Sequence, residues 1–253
     1  MIPIYSDPKQ LPASLLIVRH GESSGNVARE AAMRSGALNI DIEGRDVDVP
    51  LSRLGEEQSR ALGEYLADKE DRADVILASP YRRAQDTARL LVEAHAAVDD
   101  FDRVLLDERL REKEFGILDG LTVQGIHKHH PEQARLRGIV GKFYHRPPGG
   151  ESWCDVILRL RSMFDTLSLH YAGKRVVIVT HQVVVLCFRY LLEGLDEPQI
   201  LAIDREGDVA NCAITEYRLE GKQGLVLQRY NYVAPVAEKT EVTAAPDKKA
   251  PAA

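Results

Sequence analysis

Cysteine is scarce. The chain of 253 residues has three, Cys154, Cys187 and Cys212, far apart and without a CxxC pair. A disulfide scaffold or a thiolate zinc site is not expected, and a reducing, cytoplasmic setting fits. Positive charge is not in excess either. Lys+Arg 33 against Asp+Glu 39 gives a net charge of -6. That argues against nucleic acid or an anionic membrane surface as partner, since both call for a basic excess or stripe. Long hydrophobic runs are absent. The longest, Leu15–Val18, Val176–Val179 and Val183–Phe188, fall far short of the ~20 residues that span a bilayer. The first twelve residues are polar, with early prolines and no basic segment leading into an apolar run, so no signal peptide is expected. No repeat and no Gly/Ser- or Pro-rich linker divides the chain. Residues 1–235 are read as one domain. Residues 236–253 are Ala, Lys, Glu, Thr and Pro without an aromatic, and are expected to form a disordered tail. What remains is globular, with 44% hydrophobic and 28% charged residues, which excludes wholesale disorder.

Short apolar runs alternate with helical spacing. Leu15–Val18, Val75–Ala78 and the β-branched Val176–Val179 read as buried strands. Arg53–Asp68, Tyr81–Ala97, Cys154–His170 and Val183–Glu193 read as helices. Leu62, Tyr65 and Leu66 make one apolar stripe; Leu158, Leu160, Met163, Phe164 and Leu167 make another. Asn211–Tyr217 and Leu225–Tyr232 read as a late hairpin. The order strand, helix, strand, helix predicts an α/β chain: a three-layer α/β/α sandwich with a mostly parallel central sheet.

Ligands of such sheets sit beyond the carboxyl ends of the strands. Arg19-His20-Gly21-Glu22-Ser23 follows the first strand, Ser79-Pro80-Tyr81-Arg82-Arg83 the second, and Thr180-His181-Gln182 the third. Two histidines and several arginines thus converge on one rim. Guanidinium forks match phosphate oxygens. Without an adjoining thiol or carboxylate cluster, the histidines point to phosphate chemistry and no metal. Arg82 reads as surface or rim. Gly21-Glu22-Ser23-Ser24-Gly25 also fits the GxSxG elbow of esterases. That elbow comes late in its fold, and an esterase has no use for Arg19 and Arg83. His127, His129 and His130 read as exposed helix, and His95, His145 and His170 as surface or helix-end residues. Trp153 and Cys187 read as packing residues.

Leu16–Ser23, with Asn26, resembles the signature of the histidine phosphatase superfamily, which includes cofactor-dependent phosphoglycerate mutase. Four more segments resemble it in order: Leu51–Gly55 with Gln58; Ser79–Ala84 with Thr87-Ala88; Leu110-Arg111-Glu112 with Phe115-Gly116 and Asp119-Gly120; and Val179-Thr180-His181. The resemblance implies a phosphoglycerate mutase-like fold. It implies that His20 becomes phosphorylated, that Arg19, Arg83 and His181 surround the phosphoryl group with Asn26 assisting, and that Glu112 protonates the leaving oxygen. Glu114 and Glu22 are rival acids. Imidazole is partly neutral, hence nucleophilic, near pH 7. Fixed positive charge stabilises the moving phosphoryl group.

A narrower resemblance joins Lys142–Trp153 and Thr180–Val184 to the bisphosphatase half of 6-phosphofructo-2-kinase/fructose-2,6-bisphosphatase. It implies that Lys142, Arg146 and Gln182 contact substrate. Val123, Leu186 and Gly138 depart from that family's tyrosine and arginines, and no GxxxxGK[ST] kinase loop occurs. The expected activity is metal- and cofactor-free hydrolysis of a small phosphorylated metabolite through phosphohistidine. The expected partner is that substrate, with a homodimer as the alternative to a monomer. A mutase and a non-catalytic phosphoester-binding protein are the competing readings. Gly25 stands where true mutases usually carry a bulky aromatic, and Gln182 where many members have glycine.

Overall fold

The computed structural model describes residues 7–67, 72–94 and 104–244. The strands are β1 (Ser14–Arg19), β2 (Val75–Ala78), β3 (Val104–Leu106), β4 (Arg175–Thr180), β5 (Ile214–Leu219) and β6 (Leu225–Tyr232). They form one sheet in the order β3-β2-β4-β1-β5-β6. The pairings β1–β4, β2–β4 and β2–β3 are parallel, and β5 joins β1 and β6 antiparallel. The late hairpin therefore forms one edge, as its sequence suggests.

Both faces of the sheet are covered, which explains the unbroken apolar runs. Side chains alternate across a strand. Leu15, Ile17, Val176 and Ile178 enter one core, and Val18, Val177 and Val179 the other. The first core is filled by α6 (Trp153–His170) and α7 (Gln182–Leu192). The second is filled by α2 (Arg53–Ala67) and α3 (Arg82–Ala94). Asp68 and 95–97, expected to extend α2 and α3, lie outside the described residues. Leu158 departs from its expected stripe. It is 64% exposed, because α6 turns Val156, Ile157 and Leu160 inward and leaves Leu158 a quarter-turn or more away.

Helices α1 (Ser24–Ser35), α4 (Val123–His129), α5 (Pro131–Tyr144) and α8 (Glu197–Glu206) decorate the carboxyl-end loops and the first core. His127 and His129 are exposed on α4, as expected. His145 is a helix-end residue, the C-cap of α5, but it is buried, with its Nε2 3.3 Å from Gln133 Oε1.

Residues 236–244, expected to belong to a disordered tail, are placed by the structure. A short turn, α9 (Ala234–Ala237), buries Val236 fully in the core against α2 and α3. Residues 241–243 then hydrogen-bond to Gln58 and Asn211. One apolar anchor and several buried amide partners offset the cost of ordering this polar segment. Residues 245–253 lie outside the described residues.

The topology gathers the site. Arg19 at the end of β1 is paired with Thr180 of β4, and Ala78 of β2 with Val179. The residues after all three strands are thus neighbours at one sheet edge.

Candidate active site

The chain turns sharply after β1. Ser23 ends the turn as the N-cap of α1: its hydroxyl accepts from the Asn26 amide at 3.1 Å, and Asn26 Oδ1 accepts from the Ser23 amide at 3.0 Å. The GxSxG serine is therefore a helix cap. Below the turn, α2 approaches as closely as two backbones can. A β-carbon on Gly55 would lie 1.9 Å from the Glu22 carbonyl oxygen. Gln58 Oε1 accepts from Glu22 N at 2.9 Å, and Thr87 Oγ1 from Gly21 N at 3.0 Å. From the other side, Asn211 Nδ2 donates to the His20 carbonyl at 3.0 Å.

His20 is 4% exposed. Its Nδ1 lies 2.7 Å from the Gly21 carbonyl, which can only accept. Nδ1 therefore carries the proton, and Nε2 holds the free lone pair. Burial, with Arg83 and Arg19 alongside, holds His20 well below the ordinary 6.5. The ring is neutral at pH 7. His181 stands edge-on at 5.1 Å between centroids, also buried and held low by burial, Arg83 and His20. Its Nε2 lies 2.8 Å from Ser79 Oγ. That hydroxyl accepts from Tyr81 N at 3.2 Å and so has its own proton to give to His181.

Two polar atoms here are buried without a partner among the described residues: Arg19 Nε and His181 Nδ1. Arg19 Nη1 donates to the Val209 carbonyl, which fixes the guanidinium. Burial lowers Arg19 to about 10, still a cation at neutral pH. Arg83 is buried and lies over the Tyr81 ring at 4.9 Å. Its fork is held by Asp46, whose two carboxylate oxygens accept at 3.0 and 2.9 Å. Asn26 contributes its side-chain Oδ1 to the cap, and its side-chain Nδ2 has no hydrogen-bond partner among the described residues.

Glu112 is raised above its usual range by burial. Its Oε1 accepts from Lys113 N at 2.8 Å, and Arg83 and Arg159 act on it electrostatically. The rival carboxylates are engaged elsewhere. Glu22 accepts from Ser52 Oγ at 2.7 Å and Glu114 from the Tyr81 hydroxyl at 2.7 Å. Sequence and structure thus bring together His20, His181, Arg19, Arg83, Glu112 and Asn26.

The second layer is placed differently. Lys142 pairs with Asp204 of α8 and lies over the Trp153 ring at 5.4 Å. Arg146 is 68% exposed along its side chain, 3.3 Å from the Gly150 carbonyl and 3.7 Å from Asp155. Gln182 donates to Asp208. Among the described residues no hydrogen bond, ion pair or ring contact joins any of these three side chains to the histidine pair. Ser79, Gln58, Thr87 and Asn211 support the site without having been assigned roles. Gln58 and Thr87 stood within recognised segments, but Asn211 carried no local signal.

The sequence profile of the histidine phosphatase superfamily (branch 1) matches residues 15–232. The chain belongs to that superfamily. Among superfamily relatives, phosphoglycerate mutase-like protein 4 of Arabidopsis thaliana is 30% identical over 226 residues, covering 89% of this chain and 88% of that one. The bifunctional protein Rv2228c of Mycobacterium tuberculosis is also 30% identical over 226 residues. The chain spans about half (56%) of that relative's length. The 6-phosphofructo-2-kinase/fructose-2,6-bisphosphatase of Caenorhabditis elegans is 30% identical over 182 residues, 70% of this chain and 33% of that one. A solved structure, the mycobacterial glucosyl-3-phosphoglycerate phosphatase Rv2419c in complex with VO3, superposes with a TM-score of 0.65 and 28% identity. It covers 87% of this chain and 99% of that chain.

Proposed function

We propose that the protein hydrolyses a small phosphate monoester through a phosphohistidine on His20. The observation that carries this is a neutral, buried imidazole with its Nε2 lone pair free, beside two buried guanidinium groups. Nε2 attacks phosphorus and the P–O ester bond breaks. The departing alkoxide takes the proton of Glu112. Water then attacks the phosphohistidine, gives its proton to Glu112, and inorganic phosphate leaves. The equatorial oxygens carry the charge of the transition state, and Arg19, Arg83 and the Asn26 amide are the donors available to meet it. A seated phosphoryl group also supplies acceptors for the unpartnered Arg19 Nε and His181 Nδ1.

The similarity to a glucosyl-3-phosphoglycerate phosphatase supports hydrolysis of a small phosphorylated metabolite. The free state of the three cysteines fits a reducing, cytoplasmic location. Among the described residues no helix is long and apolar enough to cross a membrane. Lys142, Arg146 and Gln182 remain our proposed outer substrate contacts, reached once substrate displaces their present carboxylate and carbonyl partners.

The test is incubation with a phosphomonoester, an alkaline quench and mass spectrometry of the His20 peptide. Acid-labile phosphate on His20, and no turnover by His20→Ala, is the expected result. Turnover by His20→Ala would end this reading. The mutase reading has the Arabidopsis relative's name in its favour. A coupled assay of 2- and 3-phosphoglycerate interconversion separates the two, since hydrolysis releases phosphate and a mutase does not.

A further inference from the structure

Thr243 lies far along the chain from His20, in a stretch whose composition predicts disorder, yet it sits at the junction of the two side chains that hold the nucleophile turn. Gln58 Nε2 donates to Thr243 Oγ1 at 2.8 Å and to the Glu241 carbonyl at 2.9 Å. Thr243 Oγ1 donates in turn to Asn211 Oδ1 at 3.1 Å, and the backbone N–H of Asn211 donates to the Thr243 carbonyl at 2.7 Å. Each amide side chain then reaches the turn with its other end. Gln58 Oε1 receives the Glu22 N–H, and Asn211 Nδ2 donates to the His20 carbonyl at 3.0 Å and to Asn26 Oδ1 at 3.4 Å. Gln58 and Asn211 are almost wholly buried.

The directions are mutually dependent. A primary amide presents an acceptor at one end and a donor at the other. Glu22 N–H requires the oxygen of Gln58, so the nitrogen of Gln58 must find its acceptors on Glu241 and Thr243. The His20 carbonyl requires the nitrogen of Asn211, so its oxygen needs the hydroxyl proton of Thr243. A threonine hydroxyl accepts one bond and donates one, and so serves both. Chains of this kind hold orientation cooperatively, and losing one member leaves buried groups unsatisfied. Val236, buried in the core that α2 and α3 cover, and the Lys239–Glu64 ion pair bring the segment to this position.

We propose that the Glu241–Thr243 segment is a strap, and Thr243 a positioning residue, that sets the backbone carrying His20 and thereby aims its Nε2. The proposal rests on His20 being the nucleophile. A displacement of about 1 Å at an attacking atom costs up to ~10²-fold in rate. Thr243→Val keeps the shape and removes the hydroxyl, whereas Thr243→Ser keeps the hydroxyl.

The experiment first labels the parent protein. Phosphohistidine on His20 establishes the underlying reading, and its absence there defeats that reading whatever Thr243 does. The variants are then compared in the full-length chain with p-nitrophenyl phosphate, recording kcat, KM, the pH profile and the thermal midpoint. Thr243→Val is expected to lower kcat about ten- to a hundredfold with KM within about twofold, and to move the acid limb of the profile. Thr243→Ser is expected to restore kcat. A stability role alone would lower the midpoint and leave the rate per folded molecule and the profile unchanged, which would overturn the proposal. If Thr243→Val does not fold, Thr243→Ala against Thr243→Ser decides: equal rates overturn the proposal, and a tenfold or greater deficit confined to alanine supports it.

Discussion

His20 and Glu112 are moved in opposite directions by burial, and the signs fit the roles proposed for them. A nucleophilic His20 must be neutral, and its lowered value keeps it neutral well below pH 6.5. A proton-donating Glu112 must be protonated, and its raised value keeps the proton above the usual 4.5. The first chemical step therefore has its window on the acid side of neutrality and weakens as pH rises and Glu112 ionises. Glu112→Gln should remove that alkaline limb. Its cost should depend on the leaving group. An alkyl phosphate needs the proton, so its rate should fall ~10²–10⁴-fold. p-Nitrophenyl phosphate leaves as a stable phenolate and should lose far less. Equal losses for both esters in a steady-state comparison would remove Glu112 from the acid role. Arg83 offers a second test at this scale. Its fork is held by the Asp46 carboxylate, an acceptor of the same geometry as phosphate. Asp46→Asn weakens that competitor, so calorimetry should record inorganic phosphate binding several-fold tighter than in the parent. Unchanged affinity would mean that Asp46 aligns Arg83 without competing.

Helix α2 acts as the floor of the nucleophile turn, and two glycines permit the contact. A β-carbon on Gly55 would meet the Glu22 carbonyl at 1.9 Å, and one on Gly21 the Gly55 carbonyl at 2.5 Å. Both obstacles are backbone, which cannot swing aside. Gly55→Ala should therefore cost ~1–3 kcal/mol, a fall of roughly 2–12 °C in the thermal midpoint of a domain this size. It should also lower kcat, because the displaced turn carries His20. Gly138 is the counter-case. It lies within α5 with open space around its β-position. Gly138→Ala should raise stability by up to ~1 kcal/mol through helix propensity and leave kcat alone. Elements were legible in sequence where burial imposed a pattern. Strands β1, β2 and β4 face two cores and read as apolar runs; α2, α3 and α6 bury one stripe each, and α7 is buried nearly all round from Val184 to Arg189. Helix α1 buries only Ala32, and β3 is three residues long with Leu105 and Leu106 exposed, so neither left a pattern to read. The side chains proposed as catalytic were legible as candidates because they follow strands or stand in recognised segments. Asn211 and Thr243 were not, since their partners lie far away in the chain and no local periodicity marks them.

At the scale of the whole molecule, an acidic protein of net charge -6 buries Arg19 and Arg83 beside two neutral histidines. Under the proposed function, that arrangement would draw in small anions while the surface disfavours polyanions. It also ties stability to pH. The unfolded chain has ordinary histidines, whereas folded His20 and His181 both lie well below 6.5. Below that value the unfolded state binds more protons than the native state, and stability falls with each step toward acid. Above it neither state is protonated at these positions, and their contribution is constant. Each histidine can lower stability by at most ~1.4 kcal/mol per pH unit within this window. The thermal midpoint should therefore be level from pH 8 to 7 and decline between pH 6.5 and 5, before most carboxylates titrate. A phosphate-mimicking anion should oppose the decline. At a hundred times its Kd, vanadate adds ~2.7 kcal/mol to the native state, and Arg83→Ala should abolish most of that gain. A midpoint that stays flat down to pH 5, or an equal vanadate shift in Arg83→Ala, would contradict a site built from buried neutral histidines and a phosphate-binding Arg83.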